Sequence, residues 1–376
     1  MLVKKMIKIV VILLIACGGQ ADDVNRVKGA AGELMIGKEV HSLTSSIKAC
    51  PASRAKGENW WAVKKKDSQS MKADIINTFG YDGCIELMNN VGVRVVLCPK
   101  AGGRVLEYSY AGKNALYVDE KQNGWRYQPG IDLVEPCGGR FDIGPEFVII
   151  PHPDLWLGDW NGEITGDGSA KLTSVKDSAL GVRLVRKFTL ASDSSRLICE
   201  QQIINESDKP VSCFHWSRTL AVGGGICLIP LTPESRFPKN YIMYGPDSVM
   251  CYQPEDPNIR IRDGFLEVLG TPANPKLGLD STAGWFCYLM RNNLMFIKRF
   301  PVYPDRVYSE MAGLTISIWY YKNLMCELEP IGPREILAPG ASASYTEEWE
   351  LLPYDFPGDG EKVDLGKIRE RAAVSR

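Results

Sequence analysis

The stretch Asn323 to Leu352, NLMCELEPIGPREILAPGASASYTEEWELL, decides the fold. Its first run, Asn323 to Pro330, reads as a strand; Pro339 and Gly340 then turn the chain into a second strand that ends at Trp349 and Leu352. Residues two apart in an extended chain point to the same face, so Glu327 and Glu329, flanking Leu328, are expected side by side. Like charges held close disfavour double ionisation. Unless both carboxylates are solvated on the surface, one of them is expected to keep its proton to higher pH and to be poised for proton transfer.

Outward from that stretch the texture repeats. From about Ala73, short runs of β-branched and aromatic residues alternate with Gly, Pro, Asn and Asp. Examples are Val91 to Leu97, Val105 to Tyr110, Ala115 to Val118, Val182 to Leu190, Arg196 to Asn205, Leu294 to Phe300 and Leu314 to Tyr321. Within the first of these, Val93, Val95 and Leu97 alternate with Arg94, Val96 and Cys98. No sustained helical period appears before the charged tail, Gly360 to Arg376, which is expected to form a short helix or to fray. The expectation is an all-β chain in which roughly 280 residues build one large two-sheet antiparallel sandwich. Trp and Gly do not recur at a fixed period, which argues against a propeller.

Composition narrows the function. The formal net charge is −1, with 44 basic and 45 acidic residues spread evenly, so nothing attracts a polyanion and no nucleic-acid partner is expected. The three histidines, His41, His152 and His215, lack the spacing of a zinc cluster, and no metal is expected.

The N-terminus carries Lys4, Lys5 and Lys8, the apolar run Ile9 to Ile15, and then Ala16, Cys17 and Gly18. A positive flank, a short apolar segment and small residues describe an export signal too short to span a membrane. Leu14, Ile15, Ala16 and Cys17 resemble a bacterial lipobox, which implies lipidation at Cys17; cleavage after Ala21 is the competing outcome. The expected organisation is a lipoprotein signal peptide over residues 1–17, a flexible Ser, Lys, Ala and Gly rich tether over 18–72, the β domain over 73–354 and the charged tail over 355–376. The expected location is the periplasmic side of the cell envelope, held by a lipid anchor. The other ten cysteines lie singly, mostly in apolar runs, and read as core, with one or two bridges open to an exported chain.

Two further segments carry candidate chemistry. In Asn205 to Pro230, His215 lies inside a strand pattern beside Trp216 and Arg218. A histidine titrates near neutrality and is a natural partner for a carboxylate, an indole face stacks on a pyranose, and Arg donates to hydroxyl oxygens. The Gly and Pro rich segment Gly138 to Trp160 gathers Arg140, Asp142, Glu146, His152, Asp154, Trp156, Asp159 and Trp160. Such residues on loops over a rigid sheet suit a binding site, while Trp156 and Trp160 equally suit a cap on one end of the sandwich.

The order of these features resembles the galactose mutarotase (aldose 1-epimerase) superfamily, most closely its exported bacterial mutarotase-like branch. The resemblance runs from Ile75 to Leu352. It is carried by Asn89 and Asn90; by Pro99, Gly102, Gly103, Arg104 and the run GKNALYV; by Asn205, Pro210 and His215; and by Cys326 to Pro330 with Leu337, Pro339, Gly340 and Trp349. It implies a β-supersandwich that interconverts sugar anomers without a cofactor, with Glu329 as general base and His215 as general acid. Glu327, Trp216, Arg218, Arg104, Arg140, Glu146, His152, Trp156 and one of Lys298 and Arg299 are the candidate saccharide contacts. The family's sugar-binding Asn-Arg and His-Gly pairs have no counterpart in this stretch. A carbohydrate-binding lipoprotein without turnover and a purely structural envelope lipoprotein stay open as alternatives. An enzyme requires Glu329 and His215 to face each other across a cavity.

Overall fold

Strands dominate the chain because its apolar residues recur with period two, and the computed structural model shows where each face of those strands goes. It describes residues 71–245, 249–358 and 360–374, which lie in one compact unit, Gln69–Arg376. The lipobox-like run, Cys17, Cys50 and nearly all of the expected tether lie outside the described residues.

The strands form a 13-stranded and a 10-stranded antiparallel sheet. At the middle of the larger sheet Gly139–Gly144, Val211–Val222, Met325–Pro330 and Ile316–Tyr321 lie side by side. The smaller sheet is centred on Leu294–Arg299, Ser342–Pro353, Leu197–Asn205 and Val182–Leu190. Its Ser342–Pro353 strand is the second half of the stretch that opened the sequence reading.

The inner faces of the two sheets share the principal core. Phe141, Ile143, Cys213, Ala221, Cys326, Leu328, Ile316 and Ile318 point into it from the larger sheet, and Trp349, Phe188, Phe296 and Cys199 answer from the smaller one. Trp349 is fully buried and stacks on Phe141, ring centroids 5.8 Å apart. Burying such an aromatic removes 150–250 Å² of surface from water, so this layer is the main source of stability.

The described part of the charged tail is ordered. It forms the helix Leu365–Val374, whose Leu365, Ile368 and Ala372 pack with Leu228, Phe265, Cys287 and Leu289 on the outer face of the smaller sheet. The outer face of the larger sheet is the one left to loops.

Candidate functional site

Strand parity sets the site. Along Val211–Val222 the odd residues Cys213, His215, Ser217, Thr219 and Ala221 face the inter-sheet layer, while Phe214, Trp216, Arg218 and Leu220 face outward. Register then places Trp216 opposite Asp142 and Arg218 opposite Arg140 on one side. On the other side Leu220 pairs with Glu327, and Glu329 pairs in turn with Ser317. The outcome is a patch of Arg140, Asp142, Trp216, Arg218, Glu327 and Glu329 at the centre of the outer face.

Glu327 and Glu329 share that face as their spacing predicts, but they are not solvated, with exposures of 1% and 0%. Glu327 accepts from Arg218 Nε at 2.9 Å, with Arg140 at 3.9 Å. Glu329 accepts from the indole N–H of Trp216 at 2.7 Å through Oε2, and its Oε1 has no partner. Burial, and then the Glu327 charge, push the Glu329 carboxyl well above its ordinary range. For Glu327 burial acts the same way, but Arg218, Arg140 and Lys276 outweigh it and hold the carboxyl below its ordinary value. One acid of the pair stays neutral while the other is ionised.

Loops cover this patch and bring further groups. Glu135 bonds Arg140 and lies 3.1 Å from Arg218. Glu146 pairs with Lys276 at 2.5 Å, and its backbone N–H donates to Glu310 at 3.0 Å. Burial pushes the Glu310 carboxyl up to about 7, opposed by the bond from the Glu146 N–H and aided by the Glu146 charge. His152 bonds Asp142 through Nε2 and the Ile150 carbonyl through Nδ1, both at 2.8 Å. Burial opposes charge on both members of this pair, yet their mutual attraction wins: the His152 imidazole is raised, and the Asp142 carboxyl falls to about 2. Arg140 lies 5.4 Å from the ring of the half-buried Trp156.

The paired glycines of the opening motif seat that tryptophan. A Cβ at Gly102, where φ is +76°, would lie 2.0 Å from the Trp156 carbonyl oxygen, and one at Gly103 would lie 2.6 Å from the Trp160 ring. Only glycine permits this approach. Trp160 itself is core rather than an end cap: it is 3% exposed, and Arg186 stacks on it at 4.3 Å.

Several expectations are corrected. His215 and Glu329 do not face each other, because adjacent strand residues alternate and Trp216, not His215, shares the face of Glu329. His215 instead lies between the sheets, bonded through Nε2 to Glu347 at 2.9 Å and stacked on Tyr345 at 4.6 Å. Burial lowers its pKa, and the Glu347 bond opposes that only in part. Lys298 is in the same interior layer, with Glu347 at 3.0 Å, Ser217 at 2.8 Å, Thr219 at 2.9 Å and the Leu328 carbonyl at 3.1 Å. Arg299 faces the opposite side of the smaller sheet, toward Glu348 and the C-terminal helix. Arg104 is committed to Tyr81, Cys137 and Gln122 beside the patch. Trp216 is no open stacking platform, since Arg218 lies 4.5 Å from its ring and Lys276 5.7 Å.

Glu327, Glu329, Trp216, Arg218, Arg140, Glu146, His152 and Trp156 are thus brought together, joined by Lys276, Glu310, Glu135 and Tyr244. The segment containing Asp142 signalled it as a polar neighbour. Lys276 and Glu310 had no such signal, coming from a four-residue strand and a loop. Among the described residues no group of three or more His, Cys, Asp or Glu is placed to hold a metal ion.

Comparison with solved structures defines the fold class. The protein Slr1438 from Synechocystis sp. PCC 6803 matches with a TM-score of 0.50 and 16% identity, over 74% of this chain and 99% of that one. A galactose mutarotase-like protein from Lactobacillus casei ATCC 334 matches with a TM-score of 0.50 and 10% identity, over 72% and 100%. No protein-family model and no curated protein matches the sequence. The chain has the galactose mutarotase-like fold.

Proposed function

We propose that the outer-face patch binds a neutral saccharide and interconverts its anomers, with Glu329 moving a proton. The observation that carries this reading is a set of buried polar atoms without protein partners, Glu329 Oε1, Arg140 Nη1 and Tyr244 Oη, around a carboxyl pair of split proton affinity. Each unsatisfied buried group costs about 1–3 kcal/mol, which a ligand rich in hydroxyls relieves because it both donates and accepts. Arg140, Arg218, Lys276 and His152 each already have a carboxylate partner, so the patch favours a neutral ligand over an anionic one.

The chemistry requires one acid and one base. Protonated Glu329 gives its proton to the ring oxygen while a base takes the proton of the anomeric hydroxyl; the ring C–O bond breaks, and the aldehyde rotates and closes on its other face. Glu310, near 7, has the proton affinity a base needs at neutral pH. This replaces the assignment of Glu329 as base and His215 as acid.

Polarimetry on freshly dissolved aldoses tests the proposal. Acceleration over the spontaneous rate, lost in Glu329→Gln, is expected. A second reading, saccharide binding without turnover, is favoured by the absence of His215 from this face; glycan binding with no acceleration for any sugar would establish it. We propose also that the chain is exported and lipidated at Cys17, on the strength of the Lys-rich flank, apolar run and LIAC sequence.

A further inference from the structure

Cys84 and Cys98 lie on neighbouring strands, Tyr81–Met88 and Val93–Cys98. The register pairs Ile85 with Leu97, and one further step sets Cys84 opposite Cys98. Both side chains fall in the same small cluster, with Tyr81, Val96, Ala101 and Leu106, and both are fully buried. Both are free thiols, and Cys84 Sγ lies 4.0 Å from the Thr78 carbonyl oxygen. Directly opposed antiparallel residues have Cα atoms about 4.5–5.5 Å apart, inside the roughly 4.4–6.8 Å that a disulfide spans. Cys227 and Cys287 offer the contrast: they are one residue out of register, opposite Tyr288 and Leu228, and belong to different core layers.

We propose that Cys84 and Cys98 are a built-in disulfide site, closed as a cross-strand bridge by exchange with an external disulfide. The Cys98 thiolate attacks one sulfur of that disulfide and expels a thiolate, giving a mixed disulfide. Cys84 loses its proton to the expelled thiolate and attacks Cys98 Sγ, expelling the second thiolate, which takes up from solvent the proton that Cys98 released. Two protein thiols and one external disulfide become one protein disulfide and two external thiols. Cys98 suits the attacking role: its thiolate is favoured by the neighbouring Cys84 thiol and, against the effect of burial, by Arg104 and the backbone N–H groups of Lys100 and Ala101. Because both sulfurs are buried in the finished fold, exchange belongs to folding, before the hairpin is covered. In the cell this step rests on the export proposed above; in the test tube it does not.

The experiment is refolding of the full chain in a mixture of reduced and oxidised glutathione, then alkylation in denaturant and tryptic digestion without reduction. The expected product joins peptide 73–94 to peptide 95–100 through Cys84 and Cys98, with a mass two hydrogens below the sum of the free peptides, and the link is lost on reduction. Alkylation of both cysteines as free thiols, or a bridge from either one to a different cysteine, overturns the proposal. The same digest on protein from its native cells separates the two readings: a chain that links in vitro but is reduced in the cell upholds the pair and sinks the export reading.

Discussion

The indole N–H of Trp216 donates to Oε2 of Glu329 at 2.7 Å, leaving Oε1 buried and without a hydrogen-bond partner. Glu329→Gln is expected to lower the rate of anomer interconversion by about 10² to 10⁴ fold. Trp216→Phe keeps the ring but removes a donor to the charged carboxylate, so the pH limb set by Glu329 moves to higher pH. Rate against pH for both variants checks the pair; equal activity in wild type and Glu329→Gln removes Glu329 from the site.

His215 is expected to matter for folding rather than turnover. His215→Asn keeps the outer patch intact and retains most of the activity of the wild type. Glu347→Gln strips the partner from the fully buried Lys298 and is expected to cost about 3–5 kcal/mol in urea unfolding. A His215→Asn protein that stays folded yet loses catalysis would return His215 to the chemistry.

Acid and base sides of the stability profile have separate owners. Glu347 and Asp142 are held at about 2 in the fold, below their ordinary values of 4.5 and 3.8. Their contribution is present above those ordinary values and is lost as pH falls through 2, on the order of 2–4 kcal/mol each. Glu310 runs the other way: raised from 4.5 to about 7, it gives stability that is full below 4.5 and lost as pH rises through 7. Urea midpoints from pH 2 to 8 should fall at the acid end, and Glu310→Gln should flatten the decline from 4.5 to 7.

The tryptophans divide by burial. Trp156→Ala is expected to weaken saccharide affinity at least tenfold by calorimetric titration while leaving the fold intact. Trp160→Ala opens a cavity in the main core and removes the surface on which Arg186 stacks, costing about 3–5 kcal/mol. Equal binding by wild type and Trp156→Ala excludes Trp156 from the site.

At the N-terminus, radiolabelled palmitate is expected to incorporate into the wild-type chain and not into Cys17→Ser, which should leave the membrane fraction. Labelling of both, or of neither, rejects Cys17 as the anchor.

Period-two alternation made the sheets legible, and the spacing of Glu327 and Glu329 foretold their common face. The same rule, applied to Phe214, His215 and Trp216, already forbids His215 and Trp216 from sharing a face. Matching His215 to a family role by residue type overrode that parity. Lys298 and Arg299 were rightly separated by alternation, yet the sheet carrying them proved to be the smaller one, which meets the inner face of the larger sheet and not the outer face that carries the patch. Lys276 and Glu310 reach the site through pairings distant in sequence, which no local pattern encodes. Burial of the carboxyl pair was hidden too, since the covering loops are irregular.

The Val211–Val222 strand serves two masters by turns: its odd positions hold the sheets together, and Trp216 and Arg218 on its other face belong to the proposed saccharide patch. A complete substitution scan along it should therefore yield an interleaved record, with losses of soluble protein at 213, 215, 217 and 219 and losses of function in well-folded protein at 216 and 218. Inserting a single residue at its middle would exchange the two roles for everything downstream. A change of length in this strand is therefore expected to leave both roles intact only when it falls in the turns at its ends.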